Sequence, residues 1–137
     1  MSRKFLSKKF IDSNGVKWDS KKEYQRYTYL FATQNYSDSG IANLDKQIQF
    51  LLLPSKKYEL DKRTERAVNY TCDFIYTIND ILYIEDVKSD FTKKQQEYVL
   101  RRKMFKYFYL SDPNYEKLHK VLPNIKFKKA QFVEYVK

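Results

Sequence analysis

The sequence has very few cysteines, histidines and glycines. Cys72 is its only cysteine and His119 its only histidine, which excludes an internal disulfide, a zinc finger and any metal site that needs a pair of histidines. Gly15 and Gly40 are its only glycines, so a glycine-rich phosphate-binding loop is also excluded. Any chemistry in this chain must therefore use carboxylates, lysines and hydroxyls.

Long apolar runs are absent as well. No stretch approaches the roughly 18 uncharged apolar residues that a membrane span requires, and the N-terminus from Met1 to Phe5 lacks the apolar region of a secretory signal. We therefore expect a cytoplasmic protein with no membrane partner. The chain has 137 residues, 42% of them hydrophobic, which is enough for one core, so we expect a single domain over residues 1–137.

Negative charge is scarce relative to positive charge. The chain carries 27 Lys and Arg against 17 Asp and Glu, a formal charge of +10, and a folded domain this basic usually binds a polyanion. Its 13 tyrosines and 10 phenylalanines could stack on bases, although most must form the core. Lys-rich chains without such a partner also exist, so composition alone indicates nucleic acid and does not identify the kind.

Local signals predict an α/β chain that opens with a β-hairpin. Asn14-Gly15 lies between apolar residues and predicts a tight turn within a hairpin from Lys9 to Trp18. Ser20 with Glu23 three residues later is a capping box, which starts a helix that Gly40 should end.

The later elements follow from hydrophobic periodicity and turn residues. They are a strand at Gln47–Leu53, a loop or hairpin tip at Ser55–Glu65, strands at Ala67–Ile78 and Ile81–Lys88 around Asn79-Asp80, a helix from the Thr92/Gln95 capping box to about Tyr109, a short helix after Ser111-Asp112-Pro113, and a strand at Ile125–Phe127. The order after the hairpin is helix, strand, strand, strand, helix, strand, which predicts a mixed sheet flanked by helices. The apolar run Phe50–Leu53 predicts a central strand, and Leu100, Met104, Tyr107 and Phe108 predict the buried face of the second long helix.

Three charged residues interrupt the two strands on either side of the Asn79-Asp80 turn. Asp73 breaks one apolar strand, and Asp86 and Lys88 break the next. Acidic residues are depleted in strands and rarely buried without a partner. Since side chains alternate along a strand, Asp86 and Lys88 share a face, and pairing through the turn brings Asp73 beside Asp86. The pattern predicts two carboxylates and one ammonium within a few ångströms.

Two adjacent carboxylates repel each other unless a cation lies between them, and hard oxygen ligands suit Mg²⁺ or Mn²⁺. Such a metal polarises a scissile phosphate, while Lys88 could orient water or stabilise the charge that develops on the phosphorane. A cross-strand salt bridge of Lys88 with Asp86 or Asp73 is the ordinary alternative for an isolated D-x-K. Here the depth of the acids within apolar strands, together with the element order, favours phosphodiester hydrolysis.

The sequence resembles the PD-(D/E)XK nuclease superfamily, and within it small phage-encoded proteins related to Holliday-junction resolvases. The similar positions lie between about Phe10 and Phe108, and they are Asp19-Ser20-Lys21, Glu23, Gly40-Ile41, Leu44, Gln47, Phe50, Leu52, Pro54, Arg66-Ala67, Tyr70, Asp73-Phe74 and Glu85-Asp86-Val87-Lys88. The resemblance implies a core of helix, three strands, helix and strand. It further implies Asp73 and Asp86 as metal ligands, Lys88 as the catalytic lysine, and Glu23 as an additional catalytic ligand from the first helix. The chain departs from the family pattern in lacking a proline before Asp73 and in having Ser89 where glycine commonly follows the lysine.

Several assignments have equal or stronger alternatives. Glu23 is explained as well by helix capping as by catalysis, and Glu85 could replace Asp86 as a ligand only if a bulge reversed the alternation. Gln47 could contact the site or make an edge hydrogen bond. Gln95, Arg102 and Lys106 are predicted to share a helix face that could bind DNA phosphates, although a solvated face is the commoner explanation of such a pattern.

We therefore expect a Mg²⁺- or Mn²⁺-dependent endodeoxyribonuclease that acts on branched or otherwise structured DNA, such as a Holliday junction, in phage recombination or DNA processing. Because a resolvase makes paired cuts and a chain this short supplies one active site, we also expect a homodimer. Two alternatives remain open at this point. One is a non-catalytic DNA-binding or regulatory module that retains the nuclease fold, and the other is a basic RNA-binding protein.

Overall fold

The computed structural model describes residues 9–89 and 94–136. In chain order its elements are β1 (Phe10–Ile11), β2 (Lys17–Trp18), α1 (Lys21–Tyr36), β3 (Ala42–Leu53), β4 (Lys56–Lys57), β5 (Thr64–Glu65), β6 (Val68–Ile78), β7 (Ile81–Lys88), α2 (Gln96–Phe105), a π-helical turn (Lys106–Leu110), α3 (Glu116–Val121) and β8 (Lys129–Val136). The predicted order of helices and strands is confirmed, and so is the mixed α+β class. Among the described residues, no helix combines the length and apolarity needed to cross a membrane.

The central sheet has four strands in the order β3-β6-β7-β8. The first two pairings are antiparallel and β7 pairs with β8 in parallel, so the sheet is mixed. Strands β6 and β7 pair around the Asn79-Asp80 turn with Phe74 opposite Glu85, and both turn residues have positive φ, 50° and 68°. This hairpin is the pairing that the sequence predicted, and it brings Asp73 to the neighbourhood of Asp86.

Each face of the sheet is covered by its own core. Helix α1 and the β1–β2 hairpin pack on one face, where Trp18, Leu30, Phe74 and Tyr76 are buried. Helices α2 and α3 pack on the other face, in a core that includes Phe50, Tyr70, Ile84, Phe105 and Leu118. The fold therefore holds β6 and β7 between two layers of helix, and polar groups on those strands are shielded from water.

Strand β3 differs from its prediction in both length and position. It begins at Ala42 rather than Gln47. The sequence pattern did not indicate its first half because that half is polar and irregular, with positive φ at Asn43 and Gln47. It is an edge strand of the described sheet rather than a central one, and Leu51 and Leu53 remain 49% and 45% exposed. The charged segment that follows does form a hairpin tip, in which β4 pairs with β5.

The final strand also differs from its prediction. Residues Ile125 to Phe127 lie outside any strand, and β8 follows them at Lys129–Val136. Phe127 is instead buried under α3, where its ring stacks on His119 with the centroids 4.1 Å apart. Strand β8 begins at Lys129 because this is the first residue that pairs with β7, opposite Ile81.

The predicted buried face of the second long helix is confirmed in part, because Met104 and Phe108 pack against the core. Leu100 and Tyr107 are 59% and 70% exposed, whereas Phe105 and Tyr109 are buried. The π-helical turn that follows Phe105 shifts the helical phase, which brings Tyr109 to the core, where its hydroxyl donates to the carbonyl oxygen of Leu51 at 2.7 Å. Thr92 of the predicted capping box lies outside the described residues, and Gln95 occupies the N-cap position without a side-chain capping bond.

Candidate functional site

The site lies where the side-chain alternation of two paired strands reverses. In β6, Tyr70 and Cys72 point into the core under α2, whereas Phe74 and Tyr76 point into the core under α1. Alternation alone would put all four on one face, so the strand must turn over at Asp73. Asp73 therefore lies at the point where the side chains of β6 change from one face of the sheet to the other.

Strand β3 turns over at the matching position. Lys46 pairs with Phe74 and Ile48 with Cys72, yet Ile48 packs against the core under α2, and Lys46 lies over the ring of Trp18 under α1. Gln47, between them, has a φ of 56°, a conformation that costs a residue with a Cβ about 1 kcal/mol or more and is concentrated at functional sites. The register of β3 against β6 continues across this point, so both strands turn over together, at Gln47 and at Asp73, without losing their pairing.

Asp86 is the most deeply buried acid of the site, with 1% of its surface exposed. Its Oδ2 accepts a hydrogen bond of 2.5 Å from the hydroxyl of Tyr70. Its Oδ1 lies 3.1 Å from Lys88 Nζ but outside hydrogen-bonding geometry, so that within the described chain Oδ1 accepts no hydrogen bond at all. A buried carboxylate oxygen without a donor is costly, and it is the atom that a cation would satisfy.

Asp73 is held against the neighbouring strand. Its Oδ2 accepts a hydrogen bond of 2.7 Å from the backbone N–H of Val87, which fixes the carboxyl beside that of Asp86. Burial raises the pKa of Asp73 to about 6, and the charge of Glu23 contributes. Burial likewise raises the pKa of Asp86 to about 8, with the charge of Asp73 next in importance. Two acids this close and this shielded behave as a coupled pair that binds a proton near neutral pH.

Glu23 reaches the same place from the first turn of α1. Ser20 Oγ accepts from the backbone N–H of Glu23 at 3.1 Å and caps the helix. The Glu23 carboxylate instead accepts from Gln47 Nε2 at 2.9 Å. Burial raises its pKa, and Asp73 and Asp86 are among the groups that act on it. Capping and a role in the site are thus carried by different atoms of Glu23 and do not exclude each other.

Lys88 is fixed above the acids by an aromatic ring. Its Nζ lies 4.7 Å from the ring centroid of Tyr98 and 3.1 Å from Asp86 Oδ1. Burial lowers the pKa of Lys88, but the charges of Asp86 and Asp73 raise it by more, so the net pKa lies above the ordinary lysine value. Lys88 is therefore a fixed cation with restricted access to water.

Three residues that support the site were missed at the sequence level. Tyr70 donates to Asp86, and the Tyr98 hydroxyl donates to Glu134 Oε2 at 2.5 Å, which aligns the ring under Lys88. Tyr70 stands three positions before Asp73 and is among the positions similar to the family, but neither fact assigns it a contact with Asp86 unless the strand reversal is known. Tyr98 and Glu134 are 36 residues apart, and no local signal connects them.

Glu85 does not belong to the site, which corrects its assignment as an alternative ligand. It is fully buried on the opposite face of β7, where it forms a two-pronged ion pair with Arg26 at 2.7 and 2.8 Å. The hydroxyl of Tyr76 donates to it at 2.8 Å. The alternation reverses in β3 and β6 but not in β7, so Glu85 and Asp86 keep opposite directions.

The residues predicted to contact DNA phosphates are not gathered on one exposed face. Gln47 lies at the site through its bond to Glu23, and Gln95 is exposed at the start of α2. Arg102 is turned toward the sheet and pairs with Glu134 at 3.2 Å, while Lys106 Nζ lies 5.8 Å from the ring of Phe132 in β8. Arg102 and Lys106 thus both contact β8, so the prediction that their face lies opposite the packed side of the helix is wrong.

The donor set fits a hard divalent cation, although the ligands are not preassembled as a cluster of three. Within residues 9–89 and 94–136, no three His, Cys, Asp or Glu side chains are grouped closely enough to hold a metal ion. Asp73 and Asp86 form a coupled pair with raised pKa values, and Oδ1 of Asp86 has an ion pair with Lys88 but accepts no hydrogen bond in the described chain. Oxygen ligands of this kind suit Mg²⁺ or Mn²⁺. Glu23 is the third carboxylate that acts on this pair.

A family model described as "Protein of unknown function (DUF1064)" matches residues 2–129. No curated protein matches the chain, and no solved structure matches it.

Proposed function

We propose that this chain, which belongs to the DUF1064 family of proteins of unknown function, is a metal-dependent endodeoxyribonuclease with a PD-(D/E)XK core. The observation that carries the proposal is the convergence of Asp73, Asp86 and Lys88 at the point where the side-chain alternation of β6 reverses. Asp86 has a pKa raised to about 8 by burial and by Asp73. A salt bridge that served only stability would not place a second acid beside the first.

The architecture supports the same reading. The order of helix, three strands, helix and strand around a mixed sheet is the order that the resemblance implies. The first acid lies on β6, and the second acid and the lysine lie on β7. Glu23 lies on the first helix, where the additional ligand is expected, and its side chain interacts with Asp73.

Asp73 and Asp86 would hold the metal, with Glu23 as the third candidate ligand. A bound Mg²⁺ or Mn²⁺ would supply charge neutralisation between the acids and Lewis-acid polarisation of a phosphodiester. Tyr70 holds Asp86 in place through Oδ2 and leaves Oδ1 directed at the site. The backbone N–H of Val87 holds Asp73 in place through Oδ2 of that carboxyl.

Lys88 provides the positive charge for the reaction. It remains protonated because its pKa is raised by Asp86 and Asp73 against the effect of burial. Tyr98 restricts the position of its ammonium group, and a fixed cation stabilises the negative charge that grows on a phosphate oxygen without reorganising first. Lys88 can also orient the attacking water by a hydrogen bond from its Nζ.

We propose branched or structured DNA as the substrate, such as a Holliday junction, cut by a homodimer. The formal charge of +10 favours binding to phosphates, and the site offers phosphates a fixed cation rather than a helix that reads base edges. Two copies are needed for paired cuts because each chain carries one Asp73–Asp86–Lys88 set.

The test is cleavage of a four-way DNA junction, supercoiled plasmid and a structured RNA, with Mg²⁺, Mn²⁺ or EDTA. Metal-dependent cutting of the junction, abolished by Asp86→Asn, is the expected result. The lack of a preassembled three-ligand cluster among the residues that the structure describes favours the second candidate, a DNA-binding module that retains the fold without catalysis. Tight junction binding without cutting in either metal would establish that candidate, and preferential binding of RNA would instead identify an RNA-binding protein.

A further inference from the structure

A second feature lies beside Glu23, in a cleft between the β1–β2 hairpin and β3. It has a volume of about 240 Å³ and is lined by Lys17, Trp18, Asp19, Glu23, Lys46 and Gln47. Glu23 and Gln47, which are joined by a 2.9 Å hydrogen bond, form the boundary between this cleft and the Asp73–Asp86 pair. A ligand in the cleft would therefore lie directly next to the proposed reaction centre.

Lys46 is held in the cleft by two aromatic rings. Its Nζ lies 4.1 Å from the ring centroid of Trp18 and 5.3 Å from that of Tyr27. The reversal of alternation in β3 makes this possible, because it turns Lys46 to the α1 side of the sheet. A cation placed over aromatic faces has less rotational freedom to lose on binding an anion than a lysine in free solution.

The acids around the cleft are already engaged. Asp19 pairs with Lys9 at 2.8 Å. Asp12 accepts from Trp18 Nε1 at 3.0 Å and from the backbone N–H groups of Asn14 and Val16. Asp12 does act electrostatically with Lys46, but in the described parts of the chain neither Lys17 nor Lys46 forms an ion pair within 4.0 Å. The cleft therefore presents two cations whose charge is not neutralised by direct contact.

We propose that this cleft binds a phosphodiester of the substrate strand adjacent to the one that is cut, with Lys17 and Lys46 as its cations. The inference rests on the proposed nuclease function and extends it, because it assigns the direction in which the strand leaves the reaction centre, past Gln47 and along the β1–β2 hairpin. The group recognised is a phosphodiester, since two unneutralised ammonium groups favour an anion and no base-reading arrangement accompanies them.

The experiment compares Lys17→Gln and Lys46→Gln with Lys57→Gln. Lys57 is an exposed lysine in β4 beyond the far end of β3, so it controls for the loss of one positive charge. Binding to a four-way DNA junction is measured without divalent metal between 50 and 200 mM salt, and kcat and KM for cleavage are measured in Mg²⁺. Each cleft variant should raise KM about fivefold with little change in kcat, and should reduce the slope of log K against log salt by roughly 0.7–0.9, the contribution of one phosphate contact. The Lys57 variant should leave both near wild type.

The first measurement of a second arm uses wild-type protein alone, so it does not depend on how the variants fold. A second measurement compares wild type with Lys46→Gln. A single neutral methylphosphonate is moved along the cut strand of the junction, and one position next to the cut should reduce kcat/KM about fivefold. The same substitution should cost little further with Lys46→Gln, because the contact is already lost. Equal losses in wild type and variant, or cleft variants that match Lys57→Gln, would overturn the inference while leaving the nuclease proposal intact. Absence of cleavage would overturn the nuclease proposal, and the salt slopes would still decide whether the cleft binds phosphate.

Discussion

The Tyr70 hydroxyl donates a 2.5 Å hydrogen bond to Asp86 Oδ2, while Oδ1 of the same carboxyl accepts none within the described chain. One oxygen is thus fixed by the protein and the other is left for a positive charge. Lys88, 3.1 Å from Oδ1, supplies part of that charge. This division of the two oxygens is the arrangement on which the following predictions depend.

Tyr70→Phe should weaken the site more than it weakens the fold. The variant removes the only hydrogen bond that Asp86 Oδ2 accepts among the described residues, so the carboxyl loses its orientation, and cleavage should fall by about tenfold, a change of roughly 1.4 kcal/mol. Tyr109→Phe is the matched control, since its hydroxyl donates to the Leu51 carbonyl oxygen away from the acids. Equal cleavage rates for the two variants, measured on a four-way junction, would contradict the role given to Tyr70.

Asp86→Asn should stabilise the metal-free protein at alkaline pH. Because burial and Asp73 raise the folded-state pKa of Asp86 to about 8, above the unfolded value of about 3.9, its contribution to stability is intact below pH of about 4. That contribution is lost as pH rises to about 8, where the folded chain must accept the charge. Urea unfolding in EDTA at pH 5 and pH 8.5 should show wild type losing stability between the two, and the variant losing less. The variant should exceed wild type by roughly 1–3 kcal/mol at the higher pH.

Divalent cations should reverse this loss in wild type. A cation bound between Asp73 and Asp86 stabilises the ionised pair, whose pKa values are about 6 and about 8 without it, so the melting temperature at pH 8 should rise with Mn²⁺ concentration. In Asp86→Asn the increase should be absent or much smaller. Asp38→Asn, at an exposed position, is the control and should respond as wild type does.

Lys88→Ala and Asp86→Asn should each slow cleavage by about 10² or more, the effect expected when electrostatic stabilisation of the transition state is removed. Asp86→Asn should keep or tighten DNA binding because a negative charge near the phosphates disappears. Lys88→Ala should weaken binding only modestly, because it removes one cation. Parallel measurements of junction binding and cutting check both statements, and wild-type rates in both variants would remove these residues from the mechanism.

Glu85→Gln should act in the opposite direction to Asp86→Asn, although the two residues are adjacent. Glu85 is fully buried and paired with Arg26 at 2.7 and 2.8 Å, so its loss leaves Arg26 half-buried without its partner and should destabilise the fold by roughly 3 kcal/mol. Glu97→Gln breaks an exposed pair with Arg101 and should cost less than about 0.5 kcal/mol. Denaturant unfolding at pH 7 provides the comparison. A stabilised Glu85 variant would show that this pair is not structural.

Local chemistry was enough to predict the parts of the fold whose partners are close in sequence. Asn14-Gly15 and Asn79-Asp80 specify the two hairpins, and Ser20 specifies the start of α1 through its own side chain. Because the β6–β7 hairpin has a short turn, its register follows from counting, and the proximity of Asp73 to Asp86 could be predicted with it. The alternation of side chains along a strand also predicted that Glu85 points away from Asp86. This prediction holds because the alternation in β7 does not reverse.

Only the tertiary structure decided what surrounds those acids. The reversal at Gln47 and Asp73 depends on two strands turning over together, and neither strand signals it alone. Arg26 and Glu85 are 59 residues apart, and Tyr98 and Glu134 are 36 apart, so their pairing depends on how α1, α2 and β8 pack on the sheet. The edge position of β3 and the face that α2 turns to the sheet have the same origin. A sequence determines contacts between near neighbours through turns and caps, whereas contacts between distant segments are selected by the packing of whole helices and strands, which no short pattern records.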